Sequence, residues 1–415
     1  MGLMSAMGPR AVARCDALGA LPYSEDGAAL TRRYLTAPHK HALEALGGWM
    51  REAGMSVRLD PLGSLVGRYE GTSPGAPALV IGSHIDTVPA GGRYDGALGV
   101  MIGIECVESF HRRGERLPFA LEVMAFGDEE GSRFPSSMLC SRATAASLDP
   151  TELEVRDADG ISLGDALAAF GLDPEKATEA ARAPREVLAY VEAHIEQGPV
   201  LEADGLPIGA VTAIAAQLRL VARFTGLAGH AGTTPMRLRA DALAAAAEGV
   251  VAIERICRAG ADDLVGTVGR ISTTSQAFNV IVGEAEIGID IRAGVVKRRD
   301  AAAAEIRAAL LSIADARGLR LQMREVQDLA GCPCDPALTD VLAESIARVG
   351  VTPRFLMSGA GHDAMMMAAL APVAMLFIRC EGGVSHNGAE RVAAEDVDHA
   401  VRALVEFIKL LGART

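Results

Sequence analysis

The chain has 415 residues, half of them hydrophobic, and 40 basic against 53 acidic side chains leave a formal charge of −13. That length accommodates two or three domains with sizeable cores. The acidic balance speaks against nucleic acid or an anionic membrane as a partner, and no apolar run is long enough to span a bilayer uninterrupted. The seven cysteines are odd in number, and Cys332-Pro333-Cys334 lacks zinc-knuckle spacing, so that segment reads as a loop with reduced thiols. The start, MGLMSAMGPR, lacks the basic-then-apolar order of a signal peptide, and the cytoplasm is the expected compartment.

In chain order, Pro38 to Ala53 has helical periodicity with a proline in its first turn, and VRLDPLGSLVGRYE reads as a hairpin turning at Pro61-Leu62-Gly63. The strand Leu79–Gly82 leads to His84 and Asp86, then to a glycine-rich turn carrying Asp95. A helix over 96–113 and a buried strand over 119–126 follow, and the latter runs into Gly127-Asp128-Glu129-Glu130-Gly131. Residues 150–185 read as charged and helical. Leu188–Ile195 is largely apolar and runs into His194-Ile195-Glu196-Gln197-Gly198. Strand, polar loop and helix in alternation predict an α/β domain with ligands at the carboxyl edge of its sheet. Near Gly209 the texture changes. Strands over 210–225, 263–292 and 319–326, with helices over 240–258 and 299–317, predict an inserted α+β domain of roughly a hundred residues. After Ala330 the first texture returns, with a helix over 336–348, a glycine loop at Ser358–Gly361, a strand over 374–378, a loop holding His386 and a closing helix over 393–412. The expected division is 1–209 with 326–415 as one domain and 210–325 as the insertion.

Of nine histidines, His84, His194 and His386 each follow an apolar strand-like run, whereas His39, His41, His111 and His399 lie in helical or polar contexts and read as ordinary surface residues. One histidine at a strand end is more often structural than a ligand. Three of them, with Asp95 and the acids Asp128, Glu129 and Glu130, strain a structural account, because adjacent buried acids repel unless protons or cations offset them. Five ligands exceed one tetrahedral zinc with an open position. They suit a pair of cations ~3.5–4 Å apart that share one carboxylate and activate water. Imidazole and carboxylate ligands suit zinc, manganese, cobalt or nickel.

HIDT with GGRYDGALGV, FGDEEGSRFPSS, HIEQGPVLE, GHAGTTPM, SGAGHDAM and GGVSHNGAE occur in this order along nearly the whole chain. Together they resemble the dinuclear amidohydrolases of the M20 metallopeptidase superfamily. The nearer likeness is to its branch of allantoate amidohydrolases and N-carbamoyl-L-amino-acid hydrolases, which is ureidopropionase-like. The resemblance implies a catalytic α/β domain on a central mixed sheet, with the α+β insertion acting as lid and dimerisation domain. It implies two divalent cations per subunit, one held by His84 and His194, the other by Glu130 and His386, with Asp95 as the bridge. Glu129 is implied as the general base that takes a proton from the attacking water and returns it to the leaving nitrogen. Asp86 is implied as the support that orients the His84 imidazole, although a plain turn cap is an alternative for it.

The resemblance further implies a homodimer in which His230 of the partner subunit stabilises the oxyanion. Arg292 would grip the substrate carboxylate, with Gln197 and Asn279 on the ureido or amide group and the backbone amides of Gly359 and Ala360 lining the pocket. His362 is expected to support the site without a catalytic part. The expected activity is hydrolysis of a linear ureido or carbamoyl C–N bond on a small anionic, amino-acid-like substrate, releasing ammonia and carbon dioxide. Allantoate is the first expected substrate and an N-carbamoyl-L-amino acid (or N-carbamoyl-β-alanine) the second. Peptidases elsewhere in the superfamily carry an acid where His194 stands, so His194 and Arg292 speak against an aminoacylase or dipeptidase. A non-enzymatic binding protein on this fold would lack a ligand or the base, and none is missing.

Overall fold

Four apolar segments form the parallel centre of a mixed sheet. Ala120–Phe126, Ala78–His84, Val187–Ile195 and Val373–Ile378 lie side by side in that order, all parallel. The first two are buried along their whole length, as expected of strands covered on both faces. The hairpin Ser56–Leu59 and Leu65–Tyr69 extends one side antiparallel, and Ile208–Ile214 extends the other. The hairpin closes where Asp60 Oδ1 accepts the amides of Leu62 and Ser64 at 2.9 and 2.8 Å. Pairing register aligns the strand ends. His84 pairs with Phe126 and His194 with Phe377, so the carboxyl ends of all four parallel strands emerge at one edge.

The helix Ala97–Arg113 is buried continuously from Ala97 to Phe110. It packs on the strand Ala78–His84, and the helices Met7–Leu18 and Ala394–Arg414 pack on it in turn. Two glycines let it sit so close to the sheet. A Cβ on Gly99 would lie 2.1 Å from the Ala193 carbonyl oxygen, and one on Gly103 would lie 3.1 Å from Ile81 Cγ2. The buried Glu105 on this helix is neutralised by Arg10 and Arg14, at 2.7 and 2.9 Å from its Oε1.

The second unit is a four-stranded antiparallel sheet in the order Arg320–Leu329, Ala216–Thr225, Glu284–Ala293, Val265–Thr273. The helices Ala242–Ala259 and Val296–Ala316 cover one face, where Leu220, Phe224, Ile287, Ile289, Ile306 and Leu310 form the core. The strict alternation along Glu284–Ala293 leaves Glu286, Asp290 and Arg292 on the opposite face.

The structure describes residues 7–275 and 277–414 of a computed structural model. Its two units comprise Met1–Thr212, Cys334–Leu356 and Ala360–Thr415, and Ala213–Pro333 with Met357–Gly359. The seams therefore differ from the expected 209/210 and 325/326. The last strand of the insertion continues to Leu329, where it pairs with Gln217. Three further differences stand out. The sequence reading passes over the helix Met7–Leu18, and residues 150–185 hold only one α-helix, Leu163–Phe170. The rest of that stretch is short 3-10 turns at Pro150–Glu154, Pro174–Ala180 and Pro184–Glu186, each begun by a proline through which a helix arriving from the N-terminal side cannot continue. His39, expected at the surface, is buried, its ring packed edge-on against Tyr34 and beside Phe170. All seven cysteines are buried, and none is in a disulfide. No helix among the described residues is long and apolar enough to cross a membrane.

Gly99→Ala is expected to destabilise the fold by about 1–3 kcal/mol, read as a fall in the thermal unfolding midpoint. Gly48→Ala, on a helix with nothing within 4 Å of the new methyl, is expected to stabilise it by roughly 0.5–1 kcal/mol. Equal effects of the two would contradict the packing described.

Candidate metal centre

His84 is the last residue of its strand. Its Nδ1 donates to the Asp86 main-chain oxygen at 3.1 Å, and His194 Nδ1 donates to the Ile195 oxygen at 3.0 Å. With both Nδ1 atoms directed at carbonyls, both Nε2 atoms face inward, 3.4 Å apart. Between them stands Asp95. Its Oδ1 is 3.3 Å from His194 Nε2 and 4.0 Å from His84 Nε2, while its Oδ2 is 3.1 Å from His386 Nε2. Glu130 Oε1 is 3.5 Å from that same His386 nitrogen. The donor atoms thus fall into two overlapping groups, His84–Asp95–His194 and Asp95–Glu130–His386, each within 4.8 Å. Asp95 is common to both, one oxygen to each.

The close approach requires Gly96, which follows Asp95 at φ +65°. A Cβ there would lie 2.4 Å from the His84 ring. Asp86 does more than a turn cap. Its Oδ1 lies 3.5 Å from His84 Nδ1, and its two carboxylate oxygens accept the amides of Glu129 and Glu130 at 3.1 and 3.3 Å. One acid therefore sets both the imidazole and the loop that carries Glu129 and Glu130. Behind it the buried Arg32 grips the Ile85 carbonyl at 2.6 Å. Glu129 joins His84 and Glu130 in a third group of donors.

Burial lifts the Glu129 carboxyl well above the usual range, with Asp363 and Glu130 adding to it against the pull of His84, and lifts Glu130 to about 7. The same desolvation depresses His194 to about 4, so its imidazole is neutral. Glu130 Oε1 is buried without a hydrogen-bond partner. Inward-facing imidazole nitrogens, desolvated carboxyls and a buried carboxylate oxygen without a hydrogen-bond partner form a donor set that divalent cations accept. The residues present fit such a cofactor.

Residues 80–410 match peptidase family M20/M25/M40. The chain belongs to that family. It is 42% identical over 367 residues to N-carbamoyl-L-amino acid amidohydrolase of Geobacillus stearothermophilus, covering 88% of this chain and 90% of the relative. It is 39% identical over 430 residues to allantoate deiminase of Arabidopsis thaliana, covering 96% and 81% respectively. Among solved structures, a hydantoinase/carbamoylase-family amidase from Burkholderia multivorans superposes with a TM-score of 0.89 at 32% identity, over 98% of this chain and 97% of that one.

The remaining expected residues of this M20 protein fall in three places. Ala360 lines a cavity of about 220 Å³ with His84, Asp95, Glu129, His194 and His386. Gln197 lines it too, its amide nitrogen donating to Asp95 Oδ1 at 3.1 Å and to Ser385 Oγ at 3.0 Å, so that it also touches the shared carboxylate. His362 is buried with its ring centroid 4.4 Å from that of His194, in keeping with a supporting place.

In the inserted unit, the register of the short ribbon Gly229–His230 and Val280–Ile281 brings His230 beside Asn279, whose carbonyl accepts the Ala231 amide at 2.9 Å. Both side chains are exposed. The Arg292 fork is engaged by Asp290 at 2.9 and 3.1 Å, and its Nη1 donates to the Gly359 carbonyl. Asp290 also accepts from Gln217 at 2.7 Å and Arg219 at 2.9 Å, so two guanidiniums share one carboxylate. That patch keeps a spare positive charge. Gly359 contributes its carbonyl to this contact, a different group from the backbone amide expected to face substrate.

The sequence reading passes over Ser385 and Glu390, which flank His386. Ser385 Oγ lies 3.3 Å from Asp95 Oδ2, and Glu390 Oε1 accepts the amides of Tyr94 and Asp95 at 2.7 and 3.1 Å. A serine and an acid in a glycine-rich turn carry no pattern that announces such contacts.

Adding Mn²⁺ or Zn²⁺ to chelator-treated protein is expected to raise the thermal midpoint, by about 2.7 kcal/mol of added stability at a hundredfold excess over Kd. Asp95→Asn is expected to remove most of that gain. A midpoint indifferent to divalent metal would sink the assignment of a cation centre.

Proposed function

We propose that this protein is a metal-dependent amidohydrolase of linear ureido or carbamoyl groups, with allantoate as its first substrate. The observation that carries the reading is the two-sided placement of Asp95, with Glu129 beside the same cluster. Two divalent cations, when bound, would supply Lewis acidity and lower the pKa of water. His84 and His194 would hold one of them, Glu130 and His386 the other, and Asp95 both. By simple counting, two such cations against Asp95, Glu130 and a hydroxide leave the centre positive, which favours an anionic substrate. Glu129 takes the proton from the attacking water at its carboxylate and delivers it to the leaving nitrogen, a part for which its raised pKa is suited. Ammonia leaves, and the carbamate is lost as carbon dioxide. Arg292 receives the substrate carboxylate by sharing or exchanging Asp290. Asn279 bonds the ureido group, and the partner subunit's His230 donates to the oxyanion.

Allantoate is favoured by the match to the plant allantoate deiminase over 96% of the chain. The second reading, an N-carbamoyl-L-amino acid, is favoured by the higher identity, 42%, of the Geobacillus relative. Ammonia release from allantoate, N-carbamoyl-L-methionine and N-carbamoyl-β-alanine separates the readings. Allantoate is expected to give the highest kcat/KM, and silence on all three with metal bound would remove the ureido assignment.

Glu129→Gln is expected to lower kcat by about 10²–10⁴-fold while the metal content is retained. His230→Ala is expected to cost about 10²-fold, the loss of one oxyanion donor. Mixing and refolding the two inactive variants tests the shared site. If His230 acts across a dimer, about a quarter of wild-type activity returns, since half the dimers are mixed and each then has one intact site. If it acts within its own chain, none does.

A further inference from the structure

The shared carboxylate of Asp95 is held from outside the ligand set by a chain of contacts that starts at Glu390. This side chain is 1% exposed and follows His386 by four residues. Its Oε1 accepts two successive amides, those of Tyr94 and Asp95, at 2.7 and 3.1 Å, and its Oε2 lies 3.3 Å from Ser385 Oγ. Ser385 accepts the Gln197 amide at 3.0 Å and reaches Asp95 Oδ2 at 3.3 Å, while the same Gln197 nitrogen donates to Asp95 Oδ1 at 3.1 Å. Gln197 thus steers Asp95 Oδ1, the single Ser385 proton is shared between Asp95 Oδ2 and Glu390 Oε2, and the Asp95 backbone is pinned by a carboxylate. Gly92 makes room for this arrangement. A Cβ on it would lie 2.1 to 2.2 Å from the Glu390 carboxyl atoms. Gln197 and His386, at the two ends of the network, both adopt left-handed backbone, φ +55° and +54°, a conformation that non-glycine residues keep only where surroundings impose it.

We infer that Glu390 is a positioning residue for the metal centre, a clasp that fastens the Asp95 turn to the His386 loop and, through Ser385 and Gln197, presents the two Asp95 oxygens to two cations at once. The inference rests on the cation reading of the site. Contacts of this kind around metal ligands are worth about 10–100-fold in affinity. Glu390→Ala is expected to weaken Mn²⁺ binding by that factor in isothermal titration of the full-length protein, with unchanged far-UV circular dichroism. Glu390→Gln keeps an amide oxygen for the Tyr94 and Asp95 amides and is expected to bind within severalfold of wild type. Gly92→Ala displaces the carboxylate while leaving Glu390 itself unchanged and is expected to match Glu390→Ala. Ser385→Ala, the smallest change, is expected to weaken Mn²⁺ binding about tenfold, and it decides the matter if the other two fail to fold. Wild-type affinity in folded Glu390→Ala or Ser385→Ala, or equal loss in Glu390→Gln and Glu390→Ala, would overturn the clasp alone. A wild-type chain that binds no Mn²⁺ would overturn the metal centre beneath it.

Discussion

A buried carboxylate whose two oxygens face two different groups of nitrogen and oxygen donors is the constraint around which this protein is arranged. Asp95 Oδ1 looks toward His84 and His194, and Oδ2 toward His386. Water is excluded from most of these groups, and the histidines have already turned their Nδ1 atoms to backbone carbonyls. Their Nε2 atoms meet each other at 3.4 Å, and Glu130 keeps a buried oxygen with no hydrogen-bond partner. A folded chain tolerates such a concentration of desolvated acceptors when the rest of the structure overdetermines it and a cation completes it.

The overdetermination has identifiable parts. Four parallel strands in matched register deliver the loops to one edge, so a histidine at the end of one strand meets a histidine at the end of another. The helix after Asp95 is seated against the sheet by Gly99 and Gly103, which sets how far the Asp95 turn can move. Asp86 and Arg32 brace the His84 side, and Glu390 with Ser385 braces the opposite side. In the inserted unit a different balance holds. Arg219 and Arg292 share Asp290 on the uncovered face of an antiparallel sheet, a patch with charge to spare for an anion.

Much of this is legible in the sequence because it rests on local patterns. Largely apolar runs that end in His84, Phe126 and His194 mark buried parallel strands, and the polar residues at or just beyond the strand ends mark the site edge. The inserted unit is legible from its change to alternating strands and alanine-rich helices. Where sequence and structure part, the deciding contacts are distant or the pattern is ambiguous. Residues 150–185 have helical composition, yet Pro150, Pro174 and Pro184 break them into short turns. Sequence points Gln197 toward substrate but carries no sign that its amide nitrogen reaches Asp95 and Ser385. Sequence leaves Arg292 free to bind a carboxylate, and in the folded chain it already holds one.

The sequence by itself determined the inventory: which residue types carry the chemistry, which strands bring them, and the order in which they come. That rests on short-range physics, since periodicity, turn residues and the rarity of buried acids all act over a few positions. Only the tertiary structure decided how the inventory is shared. Asp95 lies 290 residues or more from Ser385, His386 and Glu390, and no local preference records which of its oxygens meets which partner. Those pairings are set by the separation of strand ends across the sheet and by the space that Gly92 and Gly96 leave open, which exist only once the chain has packed.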